Sequence, residues 1–272
     1  MKKENEVILL KLGGGLLTDK DKPLFIREDI AKSVIQQIVK ANEKVILIHG
    51  GGSFGHPLAK KYDLMKGLDP SISNQIFGLT ETHQAMVNFN SYLVNLFLER
   101  NYPALSIQPS SIFKKDNRKI TIINIKLIED LLAFNILPIL YGDIIFENHT
   151  SFSILSGDQI IFKLCEKLNN YRVSKVIFAI EVDGLFVNEK DPKNKKIKLV
   201  SEILSSELVN LDLADLGKKI DVTGGIQGKI NSIKKICAFK IPVQIVNGLK
   251  ENNIYKSLKN EKVISTYIKI KN

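Results

Sequence analysis

Five short, nearly continuous apolar runs set the tightest limit on what this chain can fold into. They are residues 7–11 (VILLK), 45–48 (VILI), 137–141 (LPILY), 176–180 (VIFAI) and 243–246 (VQIV). A strand with one wet face alternates apolar and polar residues. A run without alternation reads as a strand covered on both faces, as in a parallel sheet between helices. Between the runs, apolar residues recur at helical spacing: Ile30, Val34, Ile35, Ile38 and Val39; Ala85, Met86, Phe89, Leu93, Leu96 and Phe97; Ile160, Ile161, Leu164, Cys165 and Leu168; Ile226, Ile230, Ile233, Ile236 and Cys237. The alternation predicts an α/β fold, a three-layer αβα sandwich with a central, mainly parallel sheet. Residues 112–123 (IFKKDNRKITII) and 144–154 (IIFENHTSFSI) break the pattern and read as β-hairpins outside the main sheet. The 272 residues suit a single domain of two closely joined lobes, 1–155 and 156–272.

Composition narrows the function classes. The apolar runs fall far below the ~18–20 residues that span a bilayer, so no membrane is expected. The polar start MKKENEV does not read as a signal peptide. Thirty-nine Lys and Arg against twenty-nine Asp and Glu leave a net charge of +10. The lysines are spread, as in residues 190–198 and 256–262, with no arginine-rich stripe interleaved with aromatics. That pattern reads as a solvated surface rather than a nucleic-acid face. Cys165 and Cys237 lie far apart on apolar helix faces, so small buried hydrophobes and a reducing, cytoplasmic setting are expected.

Glycine clusters directly after the predicted strands: Gly13, Gly14 and Gly15; Gly50, Gly51, Gly52 and, past Ser53 and Phe54, Gly55; Gly184 after Asp183; Gly224 and Gly225. Ligands of open α/β sheets sit at the carboxyl ends of the strands, where glycine lets backbone N–H groups approach an anion. Two triple-glycine runs at such positions point to phosphate. The P-loop pattern fails, because His56 stands where its lysine should be. A dinucleotide fingerprint fails too, because Pro70 and Ser71 lie where an acidic residue should close the second strand.

Residues 11–14 (KLGG), 18–20 (TDK), 49–57 (HGGGSFGHP), 141–143 (YGD), 156–158 (SGD), 182–184 (VDG) and 221–229 (DVTGGIQGK) occur in this order over nearly the whole chain. The set resembles the amino acid kinase superfamily and, within it, the isopentenyl phosphate kinases. The GGGSFGH block, with its final histidine, is typical of these enzymes and of the related fosfomycin-type kinases. Three positions depart from the family pattern. Gly15 stands in place of the serine usual after KLGG, Glu181 where Asp often precedes VDG, and Gln159 in place of a second Asp.

The resemblance implies transfer of a phosphoryl group from ATP to isopentenyl phosphate. Mg²⁺ would be carried mainly by the nucleotide's phosphates, with no protein metal site, and the chain would form a homodimer. Lys11 would contact the transferring group, and Lys20, Lys229, Gly13, Gly14, Asp183, Gly184 and Gly225 would lie on the nucleotide side. Gly50, Gly51, Gly52, Ser53, Gly55, His56 and Gly157 would hold the acceptor's phosphate. Asp158 would orient the lysines; the residues alone also allow it to be a helix N-cap. Lys20 and Lys229 could equally be surface charges, and Asp143 could orient a lysine or simply shape a turn. His49, ending a buried strand, reads as structural; His83 and His149 are assigned no role. The chemistry agrees with this arrangement. A monophosphate acceptor is already largely ionised near neutral pH, so lysines, backbone amides and Mg²⁺ suffice and no general base is needed. The alternatives are a kinase of another small phosphate or phosphonate and, from a different class, a basic nucleic-acid-binding protein on a kinase scaffold.

Overall fold

The structure is a computed structural model and describes residues 5–117, 119–148, 150–188, 197–214 and 225–270. In chain order the first half contains β1 (Glu6–Leu12), α1 (Gly14–Leu17), α2 (Glu28–Ala41), β2 (Val45–His49), α3 (Gly52–Lys61), α4 (Gln75–Leu98), β3 (Ala104–Ser106), α5 (Pro109–Ile112), β4 (Phe113–Asp116), β5 (Lys119–Ile122), α6 (Ile125–Ala133), β6 (Leu137–Tyr141), β7 (Asp143–Glu147) and β8 (Ser151–Leu155). The second half contains α7 (Gly157–Lys167), β9 (Arg172–Ile180), β10 (Phe186–Asn188), β11 (Ile197–Leu199), β12 (Glu202–Leu204), α8 (Gly225–Cys237), β13 (Val243–Asn247), α9 (Asn253–Leu258) and β14 (Ser265–Lys269).

All five apolar runs form strands of one eight-stranded sheet in the order β12-β14-β13-β9-β1-β2-β6-β3. Every pairing in it is parallel except β13 with β14. The strands lack polar alternation because successive residues enter different cores. Val7 and Leu9 of β1 join Ile46, Val176 and Phe178 beneath α6, α7 and α8. Ile8 and Leu10 join Leu47, Ile139 and Ile177 beneath α2, α4 and α9. Each such side chain removed from water contributes about 1.5–3 kcal/mol, which fixes the strand register from both sides.

The two expected hairpins form outside this sheet, β4 with β5 and β7 with β8. They are not separate: β4 pairs with β7, making one four-stranded side sheet. Short edge strands β3 and β12, and β14 with its antiparallel pairing, carry no continuous apolar run and were not foreseen.

Because the central strands are parallel, their carboxyl ends share one edge, and each ladder continues into a glycine. Gly13 donates its N–H to the Ala179 carbonyl (2.9 Å), Gly50 to Leu12 (3.0 Å), Gly142 to His49 (3.2 Å) and Gly248 to Ile180 (2.8 Å). The glycine-rich connections are thereby pinned side by side along that edge.

One helix start differs from expectation. Ser156, not Asp158, caps α7: its side chain accepts from the Gln159 N–H (3.2 Å), and the Gln159 side chain accepts from the Ser156 N–H (2.8 Å). Gln159, a departure from the family pattern, thus closes a capping box. The arrangement leaves Asp158, in the first turn, to point elsewhere.

Candidate active site

The first two glycine clusters interlock. A Cβ built on Gly14 would stand 2.2 Å from the Gly52 nitrogen and 2.6 Å from its Cα. Gly52 has φ +48°, and a Cβ there would stand 2.1 Å from Thr18 Oγ1. Thr18, fully buried, is the pin of the junction: its hydroxyl donates to the Gly14 carbonyl (2.8 Å) and accepts from the Ser53 N–H (2.9 Å). The Ser53 hydroxyl exchanges hydrogen bonds with the Phe25 backbone (3.2 and 3.3 Å), tying down the segment that carries Lys20. The stretch from Gly50 to Gly55 is not one long loop, since α3 begins at Gly52 and places His56, half-buried, in its second turn.

Beside this cradle two buried lysines converge on one carboxylate. Lys11, at 5% exposure, forms an ion pair with Asp158. Lys229, at 3% exposure, reaches the same place from the start of α8. The two ammonium groups lie 5.8 and 5.3 Å from the centre of the Phe178 ring. Burial alone would push the Asp158 carboxyl up, but the charges of Lys11 and Lys229 and the Lys11 hydrogen bond hold it below its ordinary value. Gly157 keeps this pocket open: a Cβ there would stand 3.2 Å from Lys11 Cε. Two cations fixed beside glycine-lined backbone suit an anionic group that gains charge or changes partner during reaction.

At the far side of β9 the polar groups pair through flexible side chains. Lys20 Nζ lies 3.4 Å from Glu181 Oε2, and Arg27 Nη1 lies 3.3 Å from Glu181 Oε1. Asp183 accepts from Asn247 Nδ2 (3.1 Å) and pairs with Lys250 (2.8 Å). Gly184 packs against Thr266, whose hydroxyl receives the Leu185 N–H (2.8 Å). Gly225 is the first residue of α8; residues 221–224 of the fourth glycine block lie outside the described residues, as does His149.

Asp143 orients a histidine rather than a lysine. Its buried carboxylate bonds His83 Nδ1 (2.7 Å), the Ile144 N–H (2.8 Å) and the Ser110 N–H (3.0 Å). The hydrogen bond to Asp143 raises the His83 pKa above its ordinary value. His83 lies one turn before Met86 on α4, and Met86 packs against Gly51 and Gly55. His83 is thus fixed by Asp143 one turn from the residue that packs on the second glycine cluster, a placement the sequence reading left without a role; its only signal was the i, i+3 spacing to Met86. His49 is structural, as expected. It is fully buried between Phe89 and Tyr141, bonds the Gly50 carbonyl through Nδ1 (3.2 Å) and Asn90 through Nε2 (3.1 Å), and burial lowers its pKa to about 4. Below α3, a small apolar cluster of Ala59, Leu64, Leu79, Ile144 and Phe152 joins α3 and α4 to the side sheet.

Among the described residues no group of three or more His, Cys, Asp or Glu is placed to hold a metal, and no helix is long and apolar enough to cross a membrane. Burial pushes the Cys165 thiol up to about 12 and the Cys237 thiol to about 11, which keeps both protonated.

Comparison with known proteins places this geometry. Residues 6–247 match the profile described as the amino acid kinase family. The chain is 34% identical to the isopentenyl phosphate kinase of Methanocaldococcus jannaschii over 93% of its own length and 95% of that protein's. It is 30% identical to the isopentenyl phosphate kinase of Methanothermobacter thermautotrophicus, over 96% and 98% respectively. A crystal structure of an isopentenyl phosphate kinase superposes with a TM-score of 0.80 at 27% identity, covering 97% of this chain and all of that one. On these matches the chain belongs to the amino acid kinase family and, within it, to the isopentenyl phosphate kinases.

Proposed function

We propose that this protein transfers the γ-phosphoryl group of ATP to isopentenyl phosphate, giving isopentenyl diphosphate and ADP. The observation that carries this reading is the convergence of Lys11, Asp158 and Lys229 beside two interlocked glycine segments, at the shared carboxyl edge of β1, β2 and β9. Phosphoryl transfer between two polyanions requires charge compensation and in-line placement more than covalent help, and the edge supplies both.

In this reading residues 1–155 mainly hold the acceptor and residues 156–272 mainly hold ATP, with Lys20, Gly13 and Gly14 reaching over to the nucleotide and Gly157 to the acceptor. Lys11 compensates the charge on the transferring group, and Asp158 holds Lys11 in place. Gly50, Gly51, Gly52, Gly55 and Gly157 present backbone to the acceptor's phosphate; Ser53 supports that backbone, and His56 adds a directional donor from α3. Lys20, Lys229, Asp183, Gly184, Gly225 and the backbone of Gly13 and Gly14 serve the nucleotide. The apolar cluster under α3 sits on the acceptor side, where a branched five-carbon tail would need cover. The carboxylates beside the lysines are engaged by cations, Asp158 by Lys11 and Asp183 by Lys250. Mg²⁺ would enter with the phosphates of ATP and add charge compensation there. A homodimer, a cytoplasmic setting and the lack of a nucleic-acid partner belong to the same reading; the family resemblance supports the first, the two free cysteines the second, and the dispersed lysines the third.

The test is a panel of small monophosphates and phosphonates, including isopentenyl phosphate and fosfomycin, incubated with ATP and Mg²⁺ while ADP release is followed. Isopentenyl phosphate should give the highest kcat/KM. Turnover of fosfomycin without turnover of isopentenyl phosphate would overturn the assignment.

A further inference from the structure

The reading above uses Lys20 but gives no role to Glu181, which holds it, or to Arg27 on the same carboxylate. One carboxylate, at the end of β9, holds two cations from the segment after α1, one on each oxygen: Arg27 on Oε1 and Lys20 on Oε2. All three side chains are part-exposed, at 26% for Lys20, 32% for Arg27 and 21% for Glu181. An exposed pair of this kind adds little to stability. Its value lies in where it holds the cations.

Gly15 provides the space. A Cβ at this position would stand 2.5 Å from Glu181 Oε2, 2.5 Å from Lys20 Cε and 2.9 Å from Lys20 Nζ. Gly15 sits inside α1 and is not among the positive-φ residues, so the backbone does not require glycine there. The contrast with Gly14 is direct. The atoms crowding Gly14 are backbone, whereas those crowding Gly15 are the tips of side chains that can swing away. A side chain at 15 would therefore leave the fold intact and displace the Lys20–Glu181 pair. The reach of Glu181 matters equally, since Asp would withdraw the carboxylate by about 1.5 Å.

We propose that Glu181 is a positioning residue for phosphoryl transfer, which aims Lys20 and Arg27 at the nucleotide's phosphates, and that Gly15 exists to leave this arrangement its room. The two departures from the family pattern, Gly15 and Glu181, are then one change: a longer acidic side chain occupying the space of a missing one. This proposal rests on the placement of Lys20 on the nucleotide side.

Steady-state kinetics with ATP and isopentenyl phosphate varied separately, together with thermal melts, test it in Lys20→Ala, Glu181→Gln, Glu181→Asp, Gly15→Ser and the double variant Gly15→Ser/Glu181→Asp. Glu181→Gln and Gly15→Ser should each weaken kcat/KM for ATP on the order of tenfold, with the acceptor KM and the melting temperature near wild type. The double variant should perform better than either of its single parents, because the shorter acid clears the serine. Wild-type ATP kinetics in Glu181→Gln, with Lys20→Ala impaired, would overturn the positioning role. Losses in the double variant equal to the product of the single losses would overturn the coupling. Wild-type ATP kinetics in Lys20→Ala would overturn the proposal at its base, by removing Lys20 from the nucleotide side.

Discussion

The two ends of the cleft are built from different materials. At the junction of Gly14 and Gly52, backbone lies against backbone, and Thr18 locks the contact. At Glu181 and Asp183, the partners are ends of long side chains, Lys20, Arg27 and Lys250. The first construction is stiff and tolerates no added atom. The second is adjustable and can exchange a carboxylate for a phosphate oxygen. On the proposed assignment, the Gly50–Gly55 side of the stiff end would seat the acceptor's phosphate, and the adjustable end would grip a nucleotide that must enter and leave.

The largest effect that would sharpen this comparison lies between the two ends. Lys11→Ala removes the buried cation and should lower kcat by about 10²–10³-fold, the range typical for a group that meets developing charge in a dry site. Circular dichroism should show the fold retained. A folded variant with near wild-type turnover would break the account of the buried triad.

Neighbouring glycines give the most direct contrast in stability. Gly14→Ala drives a methyl into the Gly52 backbone and should cost about 3 kcal/mol, with activity lost. Gly15→Ala meets only movable side-chain tips and should leave the melting temperature nearly unchanged while ATP kinetics weaken. Equal melting temperatures for the two variants would mean that the ends do not differ in stiffness.

A gentler probe of the stiff end is pH. His49 underlies the second glycine cluster as a neutral imidazole, its pKa lowered from 6.5 to about 4 by burial. Unfolding lets it take up a proton between those values, so the unfolded state binds more protons there. Stability is fully present above pH 6.5 and is lost as the pH falls toward 4, by roughly 3 kcal/mol from this group. Urea melts at pH 7 and 4.5 should show the loss, and a folded His49→Gln variant should show a smaller one. His83 has the opposite sign: its pKa is raised by Asp143, so its contribution is present below pH 6.5 and fades as the pH rises through its folded value.

The same contrast explains what could be read before the structure. The central strands were legible because burial on both faces writes itself into residues 7–11 or 176–180 as unbroken apolar character. The glycine clusters themselves were legible because close backbone approach demands glycine, but their interlock at Gly14 and Gly52 was not, since the sequence reading took the approach to be to an anion. Lys11 stood out as a charge ending an apolar strand. The adjustable end left no such mark. Glu181 lies 154 residues from Arg27, Asp183 is 67 residues from Lys250, and His83 is 60 from Asp143; a pairing of ordinary charged residues across such separations has no local signature. Asp158 was open to misreading as a cap because the Ser156–Gln159 box needs the hydrogen bonds to be seen. Strand β14 escaped notice because Ser265, Thr266 and Lys269 leave it only Tyr267 and Ile268 as apolar residues, too few to read as a run.

The central claim is that the acceptor's phosphate belongs to the glycine-built end with His56 and the nucleotide's phosphates to the end reached by Lys229. The measurement that tests it is the pair of KM values, for isopentenyl phosphate and for ATP, in His56→Ala and in Lys229→Ala. The account predicts a crossed pattern. His56→Ala should raise the acceptor constant, or abolish its phosphorylation, with ATP binding kept, and Lys229→Ala should raise the ATP constant with the acceptor's little changed. An inverted pattern, or one in which both variants move the same constant alone, would contradict the division of the cleft.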